Sequence, residues 1–179
     1  MARRYDPERR QRIIDAAIRV VGERGIAGLS HRAVAAEADV PLGSTTYHFA
    51  TLDDLLIAAL RQVNTVLFED LAQRVEQIAP DADLAGELAD LVGELLTGKR
   101  DRSVLEYEIY LTALRRGPVR PIAAECVDGM VDVLATRTGR ATAQALVALI
   151  DGISLQVLLT GRDYDREQAR AMIARQLMG

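Results

Sequence analysis

The sequence predicts an all-α protein, in which a small N-terminal helix-turn-helix domain is joined by a long helix to a helical C-terminal domain. Of its 179 residues, 49% are hydrophobic but only 4% are aromatic, a balance that suits packed helices better than a sandwich or barrel. Apolar residues recur at helical spacing along most of the chain. No repeat or hairpin signal interrupts this pattern. We therefore expect about nine helices, in two domains at residues 1–50 and 51–179.

The first helix is predicted from Pro7 to Arg24. Asp6 can cap it, and proline is favoured at the first helical position. Gly25 is expected to end it. Its apolar stripe contains Ile13, Ala17, Val20 and Val21.

A compact helix-turn-helix is predicted in residues 29–49, LSHRAVAAEADVPLGSTTYHF. Ser30 is a favoured N-cap for the first of its two helices. Asp39-Val40-Pro41 breaks the pattern, and a second short helix opens at Leu42 and ends at Phe49, an apolar plug for the small core. Because such a motif can place its second helix in a DNA major groove, it favours a DNA-binding regulator over an enzyme.

A long fourth helix is predicted to begin at Thr51. Residues Thr51 to Asp54 resemble a capping box in which Asp stands in place of the preferred Glu. Apolar residues at helical spacing continue to Ile78, which corresponds to roughly 27 residues and about 40 Å of helix. A helix of this length is suited to link two domains.

Five more helices complete the prediction. The last is expected to be capped by Asp165, and Pro121 lies in the first turn of its helix, where proline is tolerated. The predicted spans are 83–97, 101–116, 119–136, 141–160 and a final helix that ends at Met178.

Charge is divided unevenly along the chain, whose formal net charge is −4. Residues 1–48 contain eight arginines and six acidic residues, a balance of +2, whereas residues 49–179 contain fourteen basic and twenty acidic residues, a balance of −6. The positive part coincides with the helix-turn-helix. Arginines near the first helix can approach DNA phosphates, the alternative being a solvated face. These are Arg3, Arg4, Arg9, Arg10 and Arg12.

Four short motifs follow one another in the first third of the chain. They are Ile-x-Ala-Ala at residues 14–17, Glu-x-Gly at 23–25, the cap at Ser30, and Gly-x-x-x-x-His-Phe at 43–49. With them, residues 9–55 resemble the N-terminal domain of the tetracycline-repressor-like (TetR) family of bacterial transcriptional regulators. The resemblance implies a homodimeric repressor that binds a palindromic operator in double-stranded DNA and responds to a small-molecule effector.

Candidate DNA contacts lie in the second helix of the motif and at the start of the first. Short hydroxyl side chains can bond base edges or phosphates, and a tyrosine hydroxyl suits a phosphate. The candidates are Leu42, Ser44, Thr45, Thr46, Tyr47 and His48, with Ser30 and Arg32.

The chain departs from the family pattern at three positions. Thr45 and Thr46 stand where the family usually has an apolar residue and a tyrosine. Leu52 stands where a lysine commonly meets a phosphate. That phosphate contact is therefore missing or supplied by another group.

A candidate effector site lies on the helix predicted at 101–116. Two tyrosines and two leucines share one of its faces, next to an acidic residue, and a methionine of the following helix can line the same space. A mostly apolar pocket with a few hydroxyls is typical of small-molecule sites, and ordinary core packing is the alternative. The candidates are Glu106, Tyr107, Tyr110, Leu111, Leu114 and Met130.

Residues 143–159 are apolar nearly all round, so this helix needs partners on more than one side. The family resemblance implies that it forms a four-helix dimer interface with the last helix. The interface candidates are Leu146, Ile150, Asp151, Ile153 and Val157. Asp151 can pair across the interface, bond a ligand or reach solvent, since its burial without a partner is costly.

Several other classes of protein have little support. No uninterrupted apolar run reaches transmembrane length, and the N-terminus lacks a signal-peptide core, so we expect a cytoplasmic protein without a membrane partner. His31 and His48 lack ligand spacing, so no zinc site or other cofactor is expected. Cys126 is interpreted as a buried small hydrophobe, with a redox switch as the alternative.

Two other functions remain as alternatives to the repressor. One is a small-molecule sensor with weak or lost DNA binding, which the acidic balance and Leu52 suggest. The other is an all-α enzyme that uses Glu106, Glu108 and Tyr110 in acid–base chemistry. The chain has no phosphate-binding loop after a strand and no triad order, so we expect no enzyme activity.

Overall fold

A computed structural model describes residues 8–98 and 100–178, except for the side chains of residues 101, 102, 105 and 109. Within those ranges the chain forms nine α-helices and no strand, which confirms the all-α class. Asp6, Pro7, Arg3 and Arg4 lie outside the described residues. The helices are α1 Arg9–Arg24, α2 His31–Glu37, α3 Leu42–His48, α4 Leu52–Gln77, α5 Leu84–Gly98, α6 Arg100–Ala113, α7 Arg120–Thr138, α8 Arg140–Thr160 and α9 Arg166–Leu177.

Helix α6 ends at Ala113, three residues before the predicted end. Hydrogen bonds between residues three positions apart replace the α-helical pattern there, since the Leu114 amide donates to the Leu111 carbonyl at 3.3 Å. A 3₁₀ turn, Gly117–Val119, follows. Pro118 lacks an N–H and disfavours helical geometry in the residue before it, which explains the early end.

The chain divides into two compact units, and the first combines the described part of residues 1–65 with Glu108–Ile122. Its helices α1, α2 and α3 pack on one another. The predicted capping box is confirmed: the Thr51 amide donates to Asp54 Oδ2 at 3.0 Å, and the Asp54 amide donates to Thr51 Oγ1 at 3.1 Å. The largest fully buried apolar side chains of this unit are Ile13, Val20, Val34, Leu55, Leu56 and Val119.

The second unit comprises Val66–Tyr107 and the described part of residues 123–179. Arg137 donates hydrogen bonds to the carbonyls of Val75, Ile78 and Ala79 at 3.0, 2.7 and 3.2 Å, which satisfies acceptors at the end of α4. Asp165 caps α9 as predicted, since the Gln168 amide donates to its Oδ1 at 2.9 Å. The core of the unit contains Leu88, Ala89, Val131, Leu134, Ala143, Leu146 and Ile173.

Helix α8 is long and apolar enough to cross a membrane by length and composition, with a mean hydropathy of 1.6 over its most apolar window. The expectation from the sequence concerned only uninterrupted apolar runs, and Asp151 interrupts the one in α8. Only 22% of that window is buried within the chain. The other residues of the window are half-buried or exposed in the single chain, and Leu159 is the large apolar side chain of α8 that is exposed. Cys126, on α7, is buried as predicted.

Candidate DNA-binding and effector sites

Helices α2 and α3 are joined by the predicted tight turn. Asp39 takes a left-handed backbone conformation, with φ at +51°, which Asp tolerates better than most residues. The Val40 amide then donates to the Ala35 carbonyl at 3.0 Å, and the Ser44 amide donates to the Pro41 carbonyl at 2.8 Å. These bonds determine the direction in which α3 leaves α2.

Ser44 and Thr45 face inward, which corrects the expectation that their side chains face a DNA groove. Their exposed fractions are 3% and 0%. Thr45 Oγ1 donates to the Leu42 carbonyl at 2.8 Å, whereas Ser44 Oγ is buried without a hydrogen-bond partner. Because a helix turns every 3.6 residues, these two side chains lie on the side of α3 that packs against α1 and α2.

The opposite side of α3 is exposed and presents Leu42, Gly43, Thr46 and Tyr47. Tyr47 is 85% exposed, and its ring meets the half-buried His48 ring edge-on at 5.2 Å. A Cβ added to Gly43 would meet nothing within 4 Å, so another molecule can approach the backbone there. The sequence analysis missed Gly43, although its spacing from Thr46 and Tyr47 places all three on one helical face.

Two predicted DNA contacts, Ser30 and Arg32, lie at the start of α2 and differ in exposure. Ser30 is half-buried, and its Oγ accepts the Ala33 amide at 3.1 Å, as the cap prediction required. Arg32 is exposed. His31 is half-buried, and its Nδ1 is buried without a hydrogen-bond partner. Of the two predicted contacts here, Arg32 is the one whose side chain is available to DNA.

A basic groove of about 440 Å³ lies beside α3 in the same unit. Arg10 from α1 lies over the Phe49 ring at 5.1 Å, which holds the guanidinium at the groove. Arg61 of α4 also lines the groove, as does Asp54, which is engaged in the α4 cap. Arg10 and Arg61 therefore line one groove, which reaches the first turn of α4 at Asp54; that turn also contains Leu52, which replaces the lysine of the family pattern.

The six predicted effector contacts are divided between the two compact units. Glu106, Tyr107 and Met130 belong to the second unit and are half-buried, whereas Tyr110, Leu111 and Leu114 belong to the first. Leu111 and Leu114 are exposed. The expectation that Leu114 lies on the α6 face is wrong, because α6 ends at Ala113.

Tyr107 and Asp151 form a hydrogen-bonded pair between α6 and α8. The Tyr107 hydroxyl donates to Asp151 Oδ1 at 3.1 Å. Burial raises the pKa of Asp151 above its ordinary value, and the bond from Tyr107 partly opposes that shift. The pKa of Tyr107 is raised by burial first and by the Asp151 charge second, while a bond with the buried Ser154 lowers it. Both groups therefore lie in a poorly hydrated environment.

The predicted dimer contacts on α8 differ in accessibility. Leu146 is fully buried in the core of its own chain, which corrects its assignment to an interface. Ile150, Ile153 and Val157 are half-buried. Leu159, which the sequence analysis missed, is 76% exposed. A groove of about 330 Å³ runs along α8 and α9, lined in part by Ala148, Gly152, Gln156, Thr160, Gln168 and Met172.

Two family models match the chain. The model "Bacterial regulatory proteins, tetR family" matches residues 13–59, and the model "Tetracyclin repressor-like, C-terminal domain" matches residues 79–179. The first match contains α2 and α3, and the second contains α5 to α9. Together they include both the exposed face of α3 and the Tyr107–Asp151 pair.

Individual proteins are similar over nearly the full length. The HTH-type transcriptional regulator BetI 2 of Chromohalobacter salexigens is 27% identical, over 92% of this chain and 84% of its own. The multidrug binding protein EbrR complexed with ethidium is 63% identical, with a TM-score of 0.86 over 96% of this chain and 99% of its own. EbrR complexed with proflavin is 62% identical, with a TM-score of 0.83 over 94% and 99%.

Proposed function

The chain belongs to the TetR family of bacterial transcriptional regulators, and from this membership we propose how its surfaces bind an operator and an effector. The protein is a DNA-binding, ligand-responsive transcriptional repressor. The observation that carries the proposal is the exposed face of α3 within a helix-turn-helix that matches the family. A sensor that has lost DNA binding is less well supported, because the N-terminal family model is that of regulatory proteins and the relative BetI 2 is a transcriptional regulator.

The exposed face of α3 enters the major groove of one operator half-site. Thr46 and the Gly43 backbone approach base edges, while Leu42 makes apolar contact. Tyr47 bonds a phosphate, and Arg32 at the start of α2 bonds a second one. The side chains of Ser44 and Thr45 pack in the core of the domain and do not contact DNA, because they are buried.

Arg10 supplies the phosphate contact that the family lysine makes in other members. Its guanidinium lies at the basic groove near the start of α4. The Phe49 ring beneath it restrains its position without neutralising its charge. Leu52 is half-buried and takes no part.

Two copies of the chain pair through α8 and α9 and bind a palindromic operator. Support comes from the apolar side chains of α8 that the single chain leaves exposed or only half-buried, since a contiguous apolar patch marks an interaction surface. Ile150, Ile153, Val157 and Leu159 contribute to this surface. A two-fold dimer places the two α3 helices on half-sites about one helical turn, roughly 34 Å, apart. Such a regulator acts in the cytoplasm, where its operator lies.

The effector is an aromatic cation. Support comes from EbrR, which is 62–63% identical and is complexed with proflavin and with ethidium. The ligand lowers operator affinity by binding one conformation better than the other. Of the predicted contacts, Glu106, Tyr107 and Met130 belong to one compact unit and contribute to this site.

The test is selection of bound fragments from the source genome with the purified protein, followed by gel shifts. We expect a recurrent palindrome, bound by a dimer, with an affinity that falls steeply as salt rises. Micromolar ethidium should release that complex. Enrichment of no sequence over random fragments would contradict the operator proposal. A specific complex that no aromatic cation releases would contradict the effector class alone.

A further inference from the structure

We propose that Asp151 is the anionic group by which the effector site selects positively charged aromatic molecules over uncharged ones, and that Tyr107 holds its carboxylate in place. The inference rests on the proposed function, because it assigns a residue to the recognition of the proposed effector class. It assigns Asp151 to the ligand, one of the three roles that the sequence left open.

Asp151 is an isolated charge on an apolar helix. Helix α8 runs from Arg140 to Thr160, and Asp151 is the only ionisable residue that follows Arg140 within it. Its sequence neighbours Ile150, Gly152 and Ile153 are half-buried, as Asp151 is itself. A carboxylate in such surroundings is poorly hydrated, and charges interact more strongly there than in water.

No basic residue neutralises Asp151 within the part of the chain that the structure describes. Its hydrogen-bonding partner there is the neutral Tyr107 hydroxyl, at 3.1 Å. That bond leaves the net charge of the carboxylate unchanged. A half-buried charge without a counter-ion is costly, and an incoming cation removes that cost.

A purely structural role does not explain why the residue is an acid. Asparagine has a similar shape, and its side-chain oxygen accepts the same bond from Tyr107. Burial raises the pKa of Asp151, so the charged form is the one that the fold disfavours. A bound cation would favour that charged form, which asparagine cannot take.

Tyr107 is a positioning residue in this arrangement. Its hydroxyl joins α6 to Asp151 and also bonds the buried Ser154 of α8. Its ring can offer an aromatic face next to the carboxylate, and both features favour a delocalised cation. Glu106, the residue before it, is half-buried and close enough for its charge to raise the pKa of Tyr107.

The experiment measures binding of ethidium and of its uncharged reduced form, dihydroethidium, to the full chain in anaerobic buffer. The variant is Asp151→Asn, and the matched control is Asp128→Asn, which removes the same charge from an exposed position on α7. We expect Asp151→Asn to weaken ethidium binding about tenfold or more and to change dihydroethidium binding by less than about twofold. Asp128→Asn should leave both affinities unchanged.

Equal ethidium affinity in the wild type and Asp151→Asn would overturn the inference and leave the proposed function intact. Failure of the wild-type protein to bind ethidium, with operator binding retained, would overturn the effector class and the inference together. An equal loss of both dyes in Asp151→Asn would also overturn it, since that pattern indicates a damaged site.

A second variant keeps the test decisive if Asp151→Asn does not fold, which a thermal melt reveals. Tyr107→Phe retains the carboxylate but removes its hydrogen bond, and we expect ethidium binding to weaken about threefold with dihydroethidium binding unchanged. Unchanged ethidium binding in Tyr107→Phe would then overturn the inference.

Discussion

Residue type fails to predict side-chain burial in helices α3 and α8, and it fails in opposite directions. In α3, the polar Ser44 and Thr45 are buried, whereas Leu42 and Tyr47 are exposed. In α8, an almost wholly apolar helix, only 22% of the most apolar window is buried. Our proposal assigns the exposed residues of α3 to contacts with DNA and those of α8 to contacts with a second copy of the chain.

The difference lies in what holds each helix. Helix α3 has seven residues and packs against α1 and α2, so its small hydroxyl residues serve as close packing. Helix α8 has twenty-one residues and packs against α5 and α9, which cover one side of it. In α3, only a few residues are exposed and available to a partner. In α8, a whole side of the helix is available.

The largest effect on operator affinity is expected from a bulky substitution that blocks the uncovered face of α8. A Cβ at Gly152 would meet nothing within 4 Å in the single chain, so Gly152→Arg should fold, and arginine also favours helix over glycine. In a dimer joined through this face, the new side chain clashes. We expect a folded monomer whose operator affinity falls by about 100-fold, because the two half-sites are no longer bound together. Light scattering and gel shifts measure both.

Two glycine variants serve as controls for that result. Gly98→Arg also meets open space and should remain a dimer with normal operator binding. Gly129→Arg should lower Tm, because a Cβ there would overlap the Phe68 ring and displace it. A Gly152→Arg dimer with wild-type operator affinity would show that the uncovered face of α8 is not the interface.

A smaller effect is expected from the exposed residues around α3. Arg32→Ala should weaken operator binding about tenfold, because one phosphate contact is lost. The slope of log affinity against log salt concentration should fall by about one, since one fewer counter-ion is released. Tyr47→Phe should weaken binding about threefold, since it removes a single hydroxyl. Gel shifts at several salt concentrations measure both changes, while the dimer remains intact.

An exposed residue near α3 to which the proposal assigns no DNA contact provides the control. Ala36 of α2 is exposed, and Ala36→Ser should leave operator affinity within about twofold of the wild type, as surface substitutions away from a contact generally do. Wild-type affinity in both Arg32→Ala and Tyr47→Phe would move the DNA contact away from this face.

Most of the fold follows from local signals in the sequence. Ser30, Thr51 and Asp165 cap their helices as predicted, because capping depends on residues three positions apart. The predicted end of α6 was wrong. Apolar periodicity continued past Ala113, but the geometry that Pro118 imposes ended the helix earlier.

The candidate sites were less predictable, because burial is a property of the packed chain. Residue type alone favoured Ser44 and Thr45 as DNA contacts, yet the packing of α3 on α1 and α2 buries them. Leu146 was assigned to a partner because it is apolar, but its own chain buries it completely. The Tyr107–Asp151 bond joins residues 44 positions apart, so no local pattern could have revealed it.

The smallest effect separates the two buried hydroxyls of α3. Ser44 Oγ has no partner, and burial of an unpaired hydroxyl is unfavourable. Ser44→Ala should therefore stabilise the protein by about 1 kcal/mol and raise Tm by about 3 °C. Thr45 Oγ1 donates to the Leu42 carbonyl, so Thr45→Val should destabilise the protein by about 1 kcal/mol. If burial determines the role of these two hydroxyls, calorimetry of the two variants should show Tm shifts of opposite sign. Operator affinity should stay near wild type in both, because neither side chain is at the surface, and a marked loss in Ser44→Ala would instead place that hydroxyl on the DNA.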